Sequence, residues 1–133
     1  MTGVILLSVQ PAQADDCGGN VIYRDKAFYN GNAVGELVVY YNASTGNNCA
    51  RFDHVGAAYG VTAYTEVTLY KCSATQPGNG CGTTLDADSN SGYFQYYAGP
   101  VRVQAPHNCV RADGFIYWHG AYRVADTGGD IGC

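Results

Sequence analysis

The chain has 133 residues, 47% of them hydrophobic and only 14% charged, with 18 Gly, 12 Tyr and six Cys. That length supports one core and is short for two, and the surplus of Gly and Tyr over charge points to strands joined by tight turns. A net charge of −4 with seven Lys and Arg argues against a phosphate-binding surface, so no nucleic acid partner is expected.

Residues 1–14 read as a shortened export signal. An apolar run, Gly3 to Val9, precedes Ala12-Gln13-Ala14, a small-x-small cleavage pattern that would leave Asp15 first. No Lys or Arg precedes Arg24, so the basic start of such a signal is missing. The run is much shorter than the about 20 residues of a transmembrane helix, and no such segment is expected. A rival reading keeps the run and lends Val4 to Val9 as a strand to a neighbouring subunit's sheet edge. Residues 15–133 read as a single secreted domain.

After a turn-rich opening at Cys17 to Asn20, Val21 to Tyr23 forms a short first strand. Gly35 to Asn42 alternates Leu37, Val39 and Tyr41 against Glu36, Val38 and Tyr40, the period of a strand covered on both faces. Asn42 to Asn48 is a polar connection, in which Asn42-Ala43-Ser44 matches a glycosylation acceptor but reads as a turn, and Cys49 to Val55 returns to complete a hairpin. Val61 to Cys72 is the longest regular pattern. Val61, Ala63, Thr65, Val67 and Leu69 point inward, and Thr62, Tyr64, Glu66, Thr68 and Tyr70 point outward.

Thr83 to Gly92 is a polar stretch before the segment that organises the chain. There, Phe94 to Tyr97 and Val101 to Ala105 read as one long strand bent at Ala98-Gly99-Pro100, because Pro100 has no N–H for a ladder and Gly99 tolerates positive φ. A turn at Asp113-Gly114 leads to a last strand, Phe115 to Val124, interrupted by Gly120. Ile116, Trp118, Tyr122 and Val124 share its core parity, and Tyr117, His119 and Arg123 the other. With six or seven strands and no helix, the expected fold is all-β, a single antiparallel β-sandwich or small barrel.

Six cysteines behind an export signal read as three disulfides. Cys72 and Cys81 flank the turn-forming Pro77-Gly78-Asn79-Gly80 and pair as a hairpin staple. The first and last cysteines are expected to tie the termini together, Cys17 with Cys133, which leaves Cys49 with Cys109. No C-x-x-C occurs, and His54, His107 and His119 are scattered, so the spacing does not suggest zinc.

The pieces Y-N-A-S-T-G-N-N-C at Tyr41 to Cys49, Y-A-G-P-V-R-V at Tyr97 to Val103, N-C-V at Asn108 to Val110 and a cysteine at the last position together resemble the spore-associated protein A family of streptomycetes. Cys17, Cys49, Cys109 and Cys133 match that family's cysteine framework, to which Cys72 and Cys81 are an addition. The resemblance implies an actinobacterial, exported protein found at the spore or cell surface. A weaker similarity of size and type is to the secreted adaptor subunits of umbrella toxin particles, which hold a repeat-bearing polypeptide on one side and a lectin-bearing subunit on the other.

For chemistry the sequence offers little. Asp86-Ala87-Asp88-Ser89-Asn90-Ser91-Gly92 has the D-x-D-x-N spacing of a calcium loop, but Ser91 and Tyr97 stand where that loop needs Gly and Glu. Asp86, Asp88 and Asn90 thus remain a minor calcium alternative to a plain connection, and no cofactor is expected. A small hydrolase would need a carboxylate and an imidazole together. Glu36, Glu66, Asp113, His54 and His119 are its candidates, with Glu66 and His119 placed to face outward on one sheet.

The favoured reading is non-catalytic. Tyr23, Tyr40, Tyr64, Tyr70, Tyr96 and Tyr117 could serve as anchors for a protein or stacking platforms for a glycan. The stapled loop, with Gln76 and Asn79, is the rigid element a protease inhibitor would present. Tyr64, Tyr70, Tyr40, Tyr117, Gln76 and Asn79 are therefore the expected binding residues, together with the mature N-terminus around Asp15 to Asn20. The expected partner is another secreted or surface protein, with a cell-wall or spore-surface glycan as the alternative.

Overall fold

The computed structural model describes residues 17–133; the export signal at residues 1–14 and the alternative lent strand Val4 to Val9 lie outside them. Asn30 and Gly31 both take positive φ, 49° and 77°, and this two-residue turn folds β1 (Asn20–Tyr29) back on β2 (Asn32–Asn42). An Asn-Gly pair between strands favours that turn because its twist matches theirs. The first strand is therefore ten residues long, not the short piece at Val21 to Tyr23.

The expected hairpin across Asn42 to Asn48 is present. Asn42 Oδ1 accepts the Ser44 N–H at 3.0 Å, and β3 (Asn47–His54) pairs with β2 from Asn47 opposite Asn42 to His54 opposite Gly35. A single 3-10 turn, Gly56–Ala58, then carries the chain to β4 (Ala63–Cys72). Here the inward set holds for Ala63, Thr65, Val67 and Leu69, while Val61 lies before the strand and is exposed.

Three further segments depart from expectation. The polar stretch after the stapled loop is a strand, β5 (Thr84–Phe94), antiparallel to β4 along its whole length. The organising segment is not one bent strand, because the chain reverses at Gln95 and Tyr96 and continues as β6 (Tyr97–Gln104) in the other sheet. Gly99 and Pro100 stay inside β6, where the pairing with β3 slips between Ala50 and Phe52, so the expected irregularity occurs within an edge strand. The last segment is likewise two strands. β7 (Val110–Trp118) turns at His119-Gly120, with φ of 49° and 80°, into β8 (Ala121–Asp126). Asp113-Gly114 is interior to β7 and makes no turn.

Among the described residues, eight strands thus form two antiparallel sheets, ordered β1-β2-β3-β6 and β5-β4-β7-β8, rather than six or seven. The sheets share one apolar core in which Leu37, Val39 and Phe52 of the first meet Val67, Leu69 and Ile116 of the second. Among the described residues there is no α-helix, and no helix is long and apolar enough to cross a membrane.

Side chains stitch the open edges of the two sheets. Asp88 Oδ2 and Asn90 Oδ1 on β5 accept the N–H groups of Arg102 and Gly99 on β6 at 3.0 and 2.8 Å. At the opposite edge, Asp25 Oδ2 on β1 accepts the Asp126 N–H of β8 at 3.1 Å. These carboxylate and amide groups occupy edge donors that would otherwise invite another strand. Asp86, Asp88 and Asn90, the residues of the calcium alternative, thus lie on a strand rather than in a loop, and one oxygen of each accepts a backbone N–H, that of Asp86 from Ala87 at 2.9 Å.

Three disulfides are formed, consistent with folding where thiols are oxidised. The Cys72–Cys81 staple is as expected, but the other two pairings are corrected. Cys17 joins Cys49, because β2 places the start of β1 beside the start of β3. Cys109 joins Cys133, because the tail returns to pair Ile131 with Val110. Termini that look distant along the chain are each tied to their nearest strand, not to one another.

Candidate functional site

On β4, Tyr64, Glu66, Thr68 and Tyr70 alternate with the core set and so share the outer face of the second sheet. Register extends this face across its neighbours: Tyr93 of β5 lies opposite Tyr64, Phe115 of β7 opposite Glu66, and Tyr122 of β8 opposite Tyr117. The result is a row of aromatic rings running across four strands. Tyr64 meets Tyr93 at 5.3 Å and Phe115 at 6.1 Å between centroids, and Tyr122 meets Phe115 at 4.7 Å and Tyr117 at 5.2 Å.

The row surrounds a hollow of about 720 Å³ whose walls include Thr62, Tyr64, Tyr93, Tyr117, Trp118 and Tyr122. Tyr93 is 70% exposed, Tyr122 60% and Tyr117 44%. Such a cluster of apolar ring area in water is the usual mark of a contact surface, because tyrosine supplies area with few rotors and a hydroxyl tolerant of both environments. Beyond Phe115 and Val124 the same face dips into a second hollow, about 450 Å³, that carries Asp113 and Asp126. Burial pushes the Asp113 carboxyl up from its ordinary value, Arg111 opposes this, and Asp126 adds to it.

Of the residues expected to bind, Tyr64 and Tyr117 fall at the aromatic hollow. Tyr70 is on the same face but lies beneath the Arg111 guanidinium at 4.6 Å, and Tyr40 is on the other sheet beneath Arg51 at 5.1 Å. Both rings thus serve as platforms for this chain's own arginines. Gln76 and Asn79 are exposed on the stapled loop after the far end of β4. The structure does not bring these six together.

Three contributors to this face are not assigned to it by the sequence pattern: Tyr93 borders the polar stretch Thr83 to Gly92, and unbroken alternation through Phe115 to Val124 gives Tyr122 and Val124 the core parity. The reason is the His119-Gly120 turn. A two-residue hairpin puts Tyr117 and Tyr122 on one side, whereas a continuous strand would have aligned Tyr122 with Ile116. His-Gly between two aromatic runs was the available signal.

The hydrolase candidates are dispersed. Glu36 pairs with Arg24 at 3.0 Å, Glu66 lies between Ser91 and Phe115 in register, and His119 stacks on Tyr29 of β1 at 4.4 Å with an interplanar angle of 4°. His54 is 2% exposed, and its Nε2 is 2.7 Å from Thr65 Oγ1. Thr65 Oγ1 in turn lies 2.9 Å from the Ala63 carbonyl oxygen, and Nδ1 has no hydrogen-bond partner among the described residues.

Burial lowers the His54 pKa below 6.5, against the opposing pull of the Gln95, Val61 and Ala58 carbonyls and of Asp53. An imidazole buried neutral binds its proton more weakly folded than unfolded, so its contribution to stability is complete above 6.5 and lost as pH falls from there toward the lower folded value. The melting temperature should therefore decline over that window, and His54→Gln should flatten the decline while lowering the melting temperature throughout. An equally steep decline in the variant would remove His54 as its source.

Comparisons of the chain with protein-family models, with curated proteins and with solved structures found no match.

Proposed function

We propose that this chain is an exported, non-catalytic interaction module of the cell or spore surface that holds a partner protein on the outer face of the β5-β4-β7-β8 sheet. The observation that carries this reading is the hollow ringed by exposed Tyr93, Tyr117 and Tyr122 beside the carboxylates of the same face. Three of the four ring pairs are edge to face, at 64°, 73° and 70°, and Tyr64 and Phe115 are tilted at 35°. They make a corrugated surface with sockets for side chains, since none of the four pairs is coplanar. Glu66, Asp113 and Asp126 share this face with Arg111, so the complementary partner brings basic as well as apolar side chains, which gain from both carboxylates and ring faces. Like charge disfavours a second copy presenting the same face.

A second reading, an adaptor joining two different partners in a secreted particle, is favoured by the contrast between the two outer faces. The first sheet presents Arg24, Lys26, Arg51 and Arg102 against Glu36 and Asp53.

The test is capture from the culture medium of the secreting organism with the oxidised chain, in parallel with Tyr93→Ala/Tyr122→Ala and with Gln76→Ala/Asn79→Ala. Each aromatic anchor contributes about 2 kcal/mol, so the tyrosine double variant should weaken the captured partner by roughly a thousandfold if the two add. The loop variant should leave it unchanged. A partner held equally by the tyrosine variant would overturn the assignment of this face.

A further inference from the structure

A third hollow, of about 400 Å³, opens on the outer face of the other sheet, between the end of β3 and the turn that joins β5 to β6. Its polar wall is Arg51 and Asp53, two outward positions of β3. Arg51 Nε donates to Asp53 Oδ1 and its terminal nitrogen to Oδ2, both at 3.2 Å, and the Tyr40 ring supports the guanidinium from below. The side chains are 15% and 22% exposed, so the pair is fixed yet open to the hollow. Its aromatic wall is a corner formed by Tyr59 and Tyr96, with centroids 5.2 Å apart and planes at 62°. Tyr59 is 56% exposed.

Backbone contacts hold both walls. The His54 N–H donates to the Tyr96 carbonyl at 2.8 Å, Gly60 N–H to Gln95 at 3.1 Å and Val55 N–H to Val34 at 3.1 Å. Gly56 has a φ of 56°, and a Cβ there would lie 2.6 Å from the Ala33 carbonyl oxygen, so only glycine lets the turn bearing Tyr59 lie so close to β2. A site held in this way loses little entropy on binding.

We infer that this hollow is a binding site for a neutral polyhydroxylated ring, one unit of a glycan. An anion would meet Asp53 and a cation would meet Arg51, whereas a hydroxyl both donates and accepts and can bridge the carboxylate and the guanidinium. The C–H face of the same ring packs on exposed Tyr59, and the hollow lies within the range of small-ligand sites. The site is distinct from the aromatic face proposed for the protein partner, and neither depends on the other.

The test applies the purified, oxidised chain to a printed panel of neutral and of sulfated or phosphorylated oligosaccharides, followed by calorimetric titration of the strongest neutral hit. A neutral glycan is expected to bind, with affinity reduced at least about tenfold by Tyr59→Ala and by Asp53→Asn and unchanged by Tyr93→Ala. Tyr59 is exposed, so its variant should fold, and an unchanged melting temperature would establish that. Binding of charged glycans only, no retained glycan, or an affinity in the Tyr59 and Asp53 variants unchanged from that of the unsubstituted chain would each overturn the site.

Discussion

Phe52→Ala is expected to lower the unfolding free energy by about 3–5 kcal/mol, the range for removing a buried aromatic side chain. Phe52 is fully buried on β3, and its ring fills space left by two glycines, one on the neighbouring strand of its own sheet and one in the opposite sheet. A Cβ on Gly35 of β2 would collide with the ring, and one on Gly114 of β7 would lie 2.6 Å from it and 2.8 Å from the Glu66 carbonyl oxygen. One side chain thus spans the gap between the two sheets, and its loss leaves a cavity lined by backbone that cannot collapse. Gly114→Ala should be destabilising for the converse reason, by about 1–3 kcal/mol of overpacking, and Phe52→Leu should recover part of that loss in the double variant. Urea unfolding of the four proteins checks this. A cost below about 1 kcal/mol for Phe52→Ala would show that the site relaxes.

The second large effect concerns the two long disulfides. Cys17–Cys49 and Cys109–Cys133 span 32 and 24 residues and Cys72–Cys81 spans 9. In the loop-entropy account these correspond to about 3.7, 3.5 and 2.6 kcal/mol of constraint on the unfolded chain. Replacing Cys109 and Cys133 by serine should cost more than this alone, because Val110 and Ile131 exchange N–H to carbonyl bonds at 2.8 and 2.7 Å beside that bridge and the tail after β8 would fray. Replacing Cys72 and Cys81 should cost the least of the three. Non-reducing digestion and mass spectrometry should recover Cys17 with Cys49 and Cys109 with Cys133. A peptide joining Cys17 to Cys133 would contradict the observed topology.

The alternation in Ala63 to Leu69 placed its core face correctly, as did the hairpin between Gly35 and Val55, because both depend on neighbours in sequence. Tyr64 and Tyr117 were legible as outward rings for the same reason. Phe115 to Val124 was misread at the place where local pattern ends and turn geometry begins. Two residues with positive φ, His119 and Gly120, reset the parity and brought Tyr122 and Val124 to the surface.

By itself the sequence determined that the chain is all-β, that the strand through Ala63 to Leu69 turns one parity to the core and that Cys72 and Cys81 close a short staple, since a period of two and a turn-rich loop are properties of adjacent residues. Only the tertiary structure decided that the polar run Thr84–Phe94 is a strand, that Cys17 and Cys133 belong to different bridges, and that four strands assemble one aromatic face. Each of these depends on which strand lies beside which. Ladder hydrogen bonds to β4 order a segment whose side chains bury almost nothing, and disulfide partners are set by proximity after the sheets have paired.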